Sequence, residues 1–249
     1  MTAENFSLHH YFERIGYRGD PRPDLNTLRT LMRSQLHSVP FENSVVQAGE
    51  IPSLVPEDIY RKIVTDGRGG YCYEVNALFS MALEAIGFSW YFVGARPMFY
   101  PQRRPKTHMV VAVALEDATY LCDTGFGGYG LRAPLPIADG SEASEDGEAF
   151  RLRLQKGEYV LESLVNGSWC PQYGFALCEQ EWIEFTLANH FNATHPETIF
   201  TQKKLAVIQT PTGRKILMDD RLKTIENGVV NEEHVDYSQA AFEHFGLRI

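Results

Sequence analysis

The chain has 249 residues, of which 44% are hydrophobic and 22% are charged, a balance typical of soluble globular proteins. Its formal net charge of −9 argues against a general nucleic-acid binder and against a protein that binds anionic membranes. No apolar run approaches the roughly 18 residues of a membrane span, and the first residues lack the features of a signal peptide. We therefore expect a cytoplasmic protein that binds neither nucleic acid nor membranes.

Residues 1–88 are predicted to form a helical bundle, because apolar side chains recur there every three or four positions. The predicted helices begin at capping residues or at proline. They end at glycines, which readily adopt the left-handed conformation that follows a helix. The expected starts and stops are Gly16, Asp24 or Asn26, Pro56, Cys72 and Gly87.

Cys72 opens the last of these helices, directly after a turn that contains Gly69 and Gly70. The free N–H groups and the dipole at a helix start stabilise a thiolate, so we expect a lowered pKa for Cys72. This makes Cys72 a candidate nucleophile. The alternative is a buried cysteine that serves only as a small hydrophobic side chain.

The apolar pattern changes after residue 88, and strands are predicted from there on. The first strand is expected at residues 90–96. Two more, at residues 107–115 and 120–123, are separated by few residues and are predicted to form a hairpin. That hairpin would place His108 and Asp123 on neighbouring strands.

A thiolate nucleophile needs a proton carrier and a group that orients this carrier. Cys72, His108 and Asp123 supply the three residue types in one chain, and we interpret them as a candidate catalytic triad. Should Asp123 not orient the histidine, Glu74 and Asp117 are the next candidates. Taken one by one, His108 as a core histidine and Asp123 as a turn residue remain open alternatives.

Further short strands are predicted in the middle of the chain, and their spacing is typical of a small barrel or sandwich. They are expected at residues 150–154, 158–164 and 169–177. Asn166-Gly167 is a typical hairpin turn between the last two. The acidic segment 139–148 is predicted to be an exposed loop or a partly disordered link.

The C-terminal part is predicted to be a small α/β lid, with strands near residues 204–209 and 214–218 and a helix near residues 237–245. The expected fold is therefore of the α+β class, with a helical bundle, a central β-barrel or sandwich and an α/β lid. The corresponding predicted domains are residues 1–88, 89–198 and 199–249.

Two patterns resemble cofactor sites but lack residues that such sites require. The glycine-rich segment 125–130 has no Gly-Lys-Ser/Thr end, which excludes a Walker motif. His190 and His195 have no third ligand nearby in the sequence, and the four cysteines are irregularly spaced. We therefore expect no metal and no disulfide framework.

Several blocks of the sequence together resemble those of the arylamine N-acetyltransferase family, in its prokaryotic form. The blocks are YFERIG, VPFEN, RGGYCYEVNALF, GARP, THMVVAV, YLCDTGFGG and FTLANHF, in this order along the chain. The resemblance implies a cysteine-protease-like core with Cys72, His108 and Asp123 as the triad. It implies that Cys72 takes an acetyl group from acetyl-coenzyme A and passes it to an aromatic amine, a hydrazine or an N-hydroxyarylamine, with ping-pong kinetics.

The resemblance also implies binding residues for both substrates. The expected contacts to the acceptor are Phe41, Tyr71 and Phe126. The expected contacts to coenzyme A are Thr107, Gly125, Gly127 and Gly128. The local excess of basic charge, in a chain of net charge −9, adds Arg103, Lys204 and Lys215 as expected contacts to its phosphates. Lys204 and Lys215 belong to a basic segment with Lys203, Arg214, Arg221 and Lys223, and Arg103 lies beside Arg104 and Lys106. Solvated basic surfaces without a ligand, and a plain flexible turn at residues 125–130, are the alternatives.

Other functions remain compatible with the sequence. A related acyltransferase could use malonyl-coenzyme A or act as an amide synthase, and the same triad could serve a hydrolase similar to papain or transglutaminase. A scaffold in which the triad is accidental is the non-enzymatic alternative. We expect a monomer or a small homo-oligomer.

Overall fold

The computed structural model describes residues 1–116 and 118–248, and within them the chain forms eight α-helices and thirteen β-strands. The helices are α1 (Leu8–Ile15), α2 (Leu25–Ser38), α3 (Ser44–Gln47), α4 (Pro56–Tyr60), α5 (Cys72–Ile86), α6 (Phe185–Thr194), α7 (Ile199–Gln202) and α8 (Tyr237–Phe245). A π-helical turn, Arg61–Thr65, continues α4, and a 3-10 turn, Trp182–Glu184, precedes α6. None of the helices in these residues is long and apolar enough to span a bilayer.

The strands form two antiparallel sheets. The strands are β1 (Phe41–Glu42), β2 (Ser89–Pro97), β3 (His108–Leu115), β4 (Ala118–Cys122), β5 (Leu135–Pro136), β6 (Glu142–Glu145), β7 (Glu148–Gln155), β8 (Glu158–Val165), β9 (Ser168–Gln180), β10 (Leu205–Thr210), β11 (Gly213–Met218), β12 (Arg221–Glu226) and β13 (Val229–His234). The central, barrel-like sheet has the order β5-β4-β3-β2-β9-β8-β7-β6, and the C-terminal sheet has the order β1-β10-β11-β12-β13. The α+β class and its arrangement are thus as predicted.

The predicted helix ends are confirmed. Gly16 follows α1 and Gly87 follows α5, both with the left-handed backbone that glycine adopts without strain (φ 69° and 94°). Asp24 caps α2, and its carboxylate accepts a 2.8 Å hydrogen bond from the N–H of Thr27. Pro56 is the first residue of α4. Local backbone chemistry therefore sets these boundaries.

The acidic segment at residues 139–148 differs from its prediction, because it forms β6 and the start of β7 in a hairpin. Its acids meet arginines of α2: Arg29 lies 3.2 Å from Glu145, and Arg33 lies 2.7 Å from Asp146. These pairs neutralise two of the five acids in a segment that appeared solvated. The prediction of an exposed loop was wrong because the compensating cations lie far away in the sequence.

The C-terminal sheet takes its first strand from the N-terminal part of the chain. Phe41 of β1 pairs with Val207 of β10, and α8 packs against β10 and β11. The sheet extends beyond the predicted strands through the β12–β13 hairpin. Its turn, Asn227-Gly228, has two positive φ angles (49° and 78°), as hairpin turns prefer.

Helix α5 lies at the centre of the core. It packs against α1, α4, β2 and β3, and its residues from Cys72 through Leu83 are all buried. A helix that contacts protein on every side is apolar around most of its circumference. The position of Cys72 is therefore fixed by the packing of the whole core.

Gln35 connects the helices to the segment after β4. Its side-chain oxygen accepts a 2.7 Å hydrogen bond from the hydroxyl of Tyr11. Its amide nitrogen donates to the carbonyl of Val75 (2.8 Å) and to the hydroxyl of Thr124 (2.9 Å). All of these groups are buried, so Gln35 holds α1, α2, α5 and residue 124 in a fixed relation.

We expect Gln35→Leu to lower the free energy of unfolding by about 3 kcal/mol, because it leaves several buried polar groups without partners. Tyr11→Phe removes only one of these hydrogen bonds and is expected to cost about 1 kcal/mol. Denaturant unfolding of both variants measures the two values. An effect of Gln35→Leu no larger than that of Tyr11→Phe would contradict the connecting role.

Candidate active site

Cys72 is the first residue of α5, and a capping interaction closes the helix start around it. The N–H of Tyr71 donates to one carboxylate oxygen of Glu74 (3.0 Å). The other oxygen of Glu74 accepts from the ammonium of Lys62 (2.7 Å), which also lies 3.4 Å from Glu42. Glu74 therefore has a structural task, and it is not available to orient His108.

The two glycines before Cys72 are required by close packing. A Cβ on Gly70 would lie 2.8 Å from the Cβ of Glu74, and one on Gly69 would overlap the carbonyl of Pro40. Real side chains do not tolerate such distances. Because Gly69 and Gly70 have no side chains, the backbone can pass close to Glu74 and Pro40 just before α5 begins.

The residue Cys72 is 3% exposed, so its thiol is buried. Burial raises its pKa, and the charge of Asp123 raises it further, while the N–H groups of Tyr73 and Met109 act in the opposite direction. The expected lowering of the pKa is therefore wrong for the thiol by itself, because the loss of water outweighs the donors at the helix start. A thiolate at this position needs a cation beside it.

His108 and Asp123 form a hydrogen bond of 2.8 Å between Nε2 and Oδ2. His108 is the first residue of β3, Asp123 follows β4, and both are buried. An ionised carboxylate only accepts, so Nε2 carries a hydrogen and Nδ1 is free to accept a proton. The predicted hairpin is confirmed, whereas Asp117, the other alternative orienting residue, lies outside the described residues.

The second oxygen of Asp123 accepts two further hydrogen bonds, from the N–H of Gly125 (2.8 Å) and from the side-chain amide of Asn76 (3.1 Å). Three donors thus surround one buried carboxylate. This arrangement fixes the orientation of Asp123 toward His108.

Sequence reasoning assigned no role to Asn76, although it is central to this arrangement. Its amide also donates to the carbonyl of Met109 (2.7 Å), and its oxygen accepts from the N–H of Thr124 (2.8 Å). Asn76 lies one helical turn after Cys72. A polar residue at that spacing on a buried helix is the signal that was available.

Cys72 and His108 both line a cavity of about 690 Å³. The wall consists mainly of aromatic and aliphatic side chains, together with the glycine-rich turn after Asp123. The aromatic members are Phe41, Phe99, Tyr100, Phe126, Tyr129, Phe191 and Phe200. A largely apolar cavity with a few polar groups is typical of a small-molecule site.

The predicted acceptor contacts differ in their positions. Phe126 lines the cavity, and its ring centroid lies 5.1 Å from that of His108. Phe41 lines it as well. Tyr71 is not in the wall: it is fully buried behind Phe200, and its hydroxyl donates to the side chain of Asn189.

Four predicted coenzyme A contacts lie in the cavity wall: Thr107, Gly125, Gly127 and Gly128. Arg104 lines the cavity too, with its guanidinium 4.7 Å from the ring centroid of Tyr100. Arg103 does not line it, and instead pairs with Glu158 at 3.0 Å.

The basic C-terminal segment does not form one exposed surface. Arg214 is fully buried and pairs with Glu148, which corrects its assignment to such a surface. Lys215 contacts His244 of α8. Successive residues of a strand point to opposite faces of the sheet, and Ile216 lines the cavity, so the side chain of Lys215 points away from the cavity. Lys204 lies over the ring of Tyr237. Contacts of Arg103, Lys204 and Lys215 to coenzyme A stay a prediction.

A metal site is not formed by the part of the chain that the structure describes, since no three His, Cys, Asp or Glu side chains there are placed to hold an ion. All four cysteines are free, and Cys170 lines the same cavity as Cys72.

A family model described as N-acetyltransferase matches residues 24–248. The chain belongs to the arylamine N-acetyltransferase family. It is 32% identical to an arylamine N-acetyltransferase of Mycolicibacterium smegmatis, over 93% of this chain and 86% of that protein. It is 31% identical to one of Escherichia coli K12, over 91% and 82%.

Solved structures of this family have the same fold. The arylamine N-acetyltransferase of Mycobacterium marinum in complex with CoA superposes with a TM-score of 0.92 at 28% identity, covering 97% of this chain and 93% of that one. Family membership makes the chain an acyltransferase, as the sequence resemblance implied.

We expect Gly125→Ala to destabilise the protein by about 1–3 kcal/mol, as other forced overpacking does. Its Cβ would lie 2.8 Å from the Cα of Cys72 and 2.7 Å from Val75. Gly128 has free space around its Cα, so Gly128→Ala is the matched control and should change stability by less than about 0.5 kcal/mol. Denaturant unfolding compares the variants, and equal effects would contradict the close packing on Cys72.

Proposed function

We propose that the chain transfers an acetyl group from acetyl-coenzyme A to an aromatic amine, a hydrazine or an N-hydroxyarylamine, through a thioester on Cys72. The catalytic residues are Cys72, His108 and Asp123. The observation that carries the proposal is the buried His108–Asp123 hydrogen bond, with His108 and Cys72 in the wall of one apolar cavity. Membership of the arylamine N-acetyltransferase family supports the type of transfer, and the CoA complex of the Mycobacterium marinum relative supports the donor.

The first step is the transfer of the thiol proton of Cys72 to Nδ1 of His108. Burial raises the pKa of this thiol, so it does not ionise alone at neutral pH. The imidazolium that forms is stabilised by the carboxylate of Asp123 at Nε2. The products are a thiolate and a cation, and their attraction is strong because little water surrounds them.

The acetyl group then passes through two transfers. The Cys72 thiolate attacks the thioester carbonyl, the bond between the acetyl carbon and the sulfur of coenzyme A breaks, and the departing thiolate takes the proton from His108. In the second transfer the amine nitrogen attacks acetyl-Cys72. The bond to the Cys72 sulfur breaks, and the proton lost by the nitrogen returns the triad to its starting form, as in ping-pong catalysis.

The cavity wall suits an aromatic acceptor, and Phe41 and Phe126 are the proposed contacts. Phe126 packs edge-on against His108, which brings a bound ring close to the acyl-enzyme. Tyr71 packs behind Phe200, and its proposed role is to support the position of that ring in the cavity wall. The proposed donor contacts within the cavity wall are Thr107, Gly125, Gly127, Gly128 and Arg104.

We expect one added acetyl group on intact protein mixed with acetyl-coenzyme A in the absence of an acceptor, measured by mass spectrometry. Cys72→Ser should show no thioester adduct. Cys170→Ser is the matched control, because Cys170 lines the same cavity, and it should retain the adduct. Release of the acetyl group should accelerate when an arylamine is added, which distinguishes a transferase from a hydrolase. An undiminished adduct in Cys72→Ser would refute the assignment.

We expect His108→Gln to abolish the alkylation of Cys72 by iodoacetamide at neutral pH. The raised pKa keeps the thiol protonated there once its proton acceptor is gone, so the rate should increase only at strongly alkaline pH. Asp123→Asn should slow alkylation too and lower turnover by roughly 10³–10⁴-fold, since an amide favours the wrong imidazole tautomer.

Peptide mapping of the alkylated protein separates Cys72 from the other three cysteines. Unfolding curves close to that of the wild type are required of both variants. Wild-type alkylation rates at neutral pH in His108→Gln would show that another group takes the proton.

A further inference from the structure

The glycine turn, defined here as Gly127 and Gly128, is held from outside the cavity by two side chains of the C-terminal sheet. The amide of Gln209 donates to the carbonyls of Gly127 (3.2 Å) and Gly128 (3.4 Å). The guanidinium of Arg214 also donates to the carbonyl of Gly128. Both side chains are buried, so water does not compete with them for these carbonyls.

Arg132 also connects the segment after the glycine turn with the C-terminal sheet, with the donor on the opposite side. It follows the glycine turn in the sequence, and it donates to the carbonyls of Thr210 (3.2 Å) and Gly213 at the β10–β11 connection. Glu148 lies between the two arginines, 2.7 Å from Nε of Arg132 and in contact with Arg214. We call these three residues, Arg132, Glu148 and Arg214, the arginine clamp.

The arginine clamp is costly to bury. It has two cations and one carboxylate, and burial lowers the pKa of Arg132 to about 10 and that of Arg214 to about 9. Buried ion pairs add little net stability in general, because desolvation offsets their attraction. A positional role explains Arg214 better, since its guanidinium donates directly to the carbonyl of Gly128 in the glycine turn. Arg132 donates only to the β10–β11 connection.

Arg214 also contacts Tyr129, the residue that follows the glycine turn. Its guanidinium lies 4.3 Å from the ring centroid of Tyr129, and Tyr129, Gly127 and Gly128 all line the cavity. Because the C=O and N–H of a trans peptide point in opposite directions, drawing the two glycine carbonyls toward the sheet directs the N–H groups of Gly128 and Tyr129 away from it.

We propose that Arg214 and Gln209 are positioning residues, which fix the glycine turn so that the acyl donor binds well. They act through the turn and touch neither Cys72 nor His108. The inference rests on the proposed function, in which the donor lies against this turn. It makes the C-terminal sheet a determinant of donor affinity that is separate from the acid–base chemistry.

The test compares four variants. Arg214→Met and Gln209→Met each remove a donor to the turn, and both should raise the KM for acetyl-coenzyme A by roughly three- to tenfold, the value of one net hydrogen bond. Arg214→Lys keeps a donor and should lie between Arg214→Met and the wild type. The rate and pH profile of Cys72 alkylation by iodoacetamide should not change in any of them, because the triad is untouched.

Arg132→Met is the matched control. It removes the other buried guanidinium beside Glu148 and leaves the donors to the turn in place. It should therefore destabilise the fold while the KM for acetyl-coenzyme A stays within about twofold. Gln209→Met carries no charge change, so it tests the inference even if Arg214→Met does not fold.

The outcomes separate the inference from the proposed function. A wild-type protein that forms no acetyl-enzyme would overturn both. A wild-type protein that is acetylated, with an unchanged KM in Gln209→Met and Arg214→Met, would overturn the inference alone. An equal increase of KM in Arg132→Met would also overturn it, because the effect would then follow stability and not the position of the turn.

Discussion

A single buried carboxylate sets the geometry of the site. Asp123 is 1% exposed, and a charge without water must be compensated by donors at fixed positions. Those donors come from three separate elements: Asn76 from α5, His108 from β3 and the N–H of Gly125 from the turn that directly follows Asp123. The helix, the hairpin and the turn are thus bound to one another through this group. The hydrophobic core brings these elements together, and the carboxylate sets the orientation of the side chains.

The nucleophile illustrates how burial and reactivity are compatible. An isolated thiol in the place of Cys72 is a weaker acid than one in water, since burial raises its pKa. The same exclusion of water strengthens the attraction between a thiolate and a neighbouring imidazolium. Without a proton acceptor this thiol is therefore a poor nucleophile at neutral pH, and its activation depends on a specific acceptor beside it. His108, oriented by Asp123, is this acceptor in the proposed mechanism.

Local signals in the sequence were sufficient for much of this structure. Asp24, Gly16 and Gly87 act through neighbouring backbone groups, and the His108–Asp123 hairpin follows from a short connection. Features that depend on distant partners were not accessible. The acids after residue 139 find arginines from α2, and Arg214 is buried against Glu148, although both stretches appeared solvated. Asn76 was missed because an asparagine on a helix does not reveal which loops it will contact.

The pairing of β1 with β10 has a consequence for how the chain folds during synthesis. Phe41 and Glu42 emerge from the ribosome early, but their partners Val207 and Ala206 follow only when most of the protein has been made. Contacts between such distant residues form late, because closing a long loop costs conformational entropy before the contacts that offset this cost can form. Phe41, Val207 and Ile216 all line the cavity. A nascent chain that ends before β10 therefore lacks part of the cavity wall, which is completed only when residues 205–218 have been made.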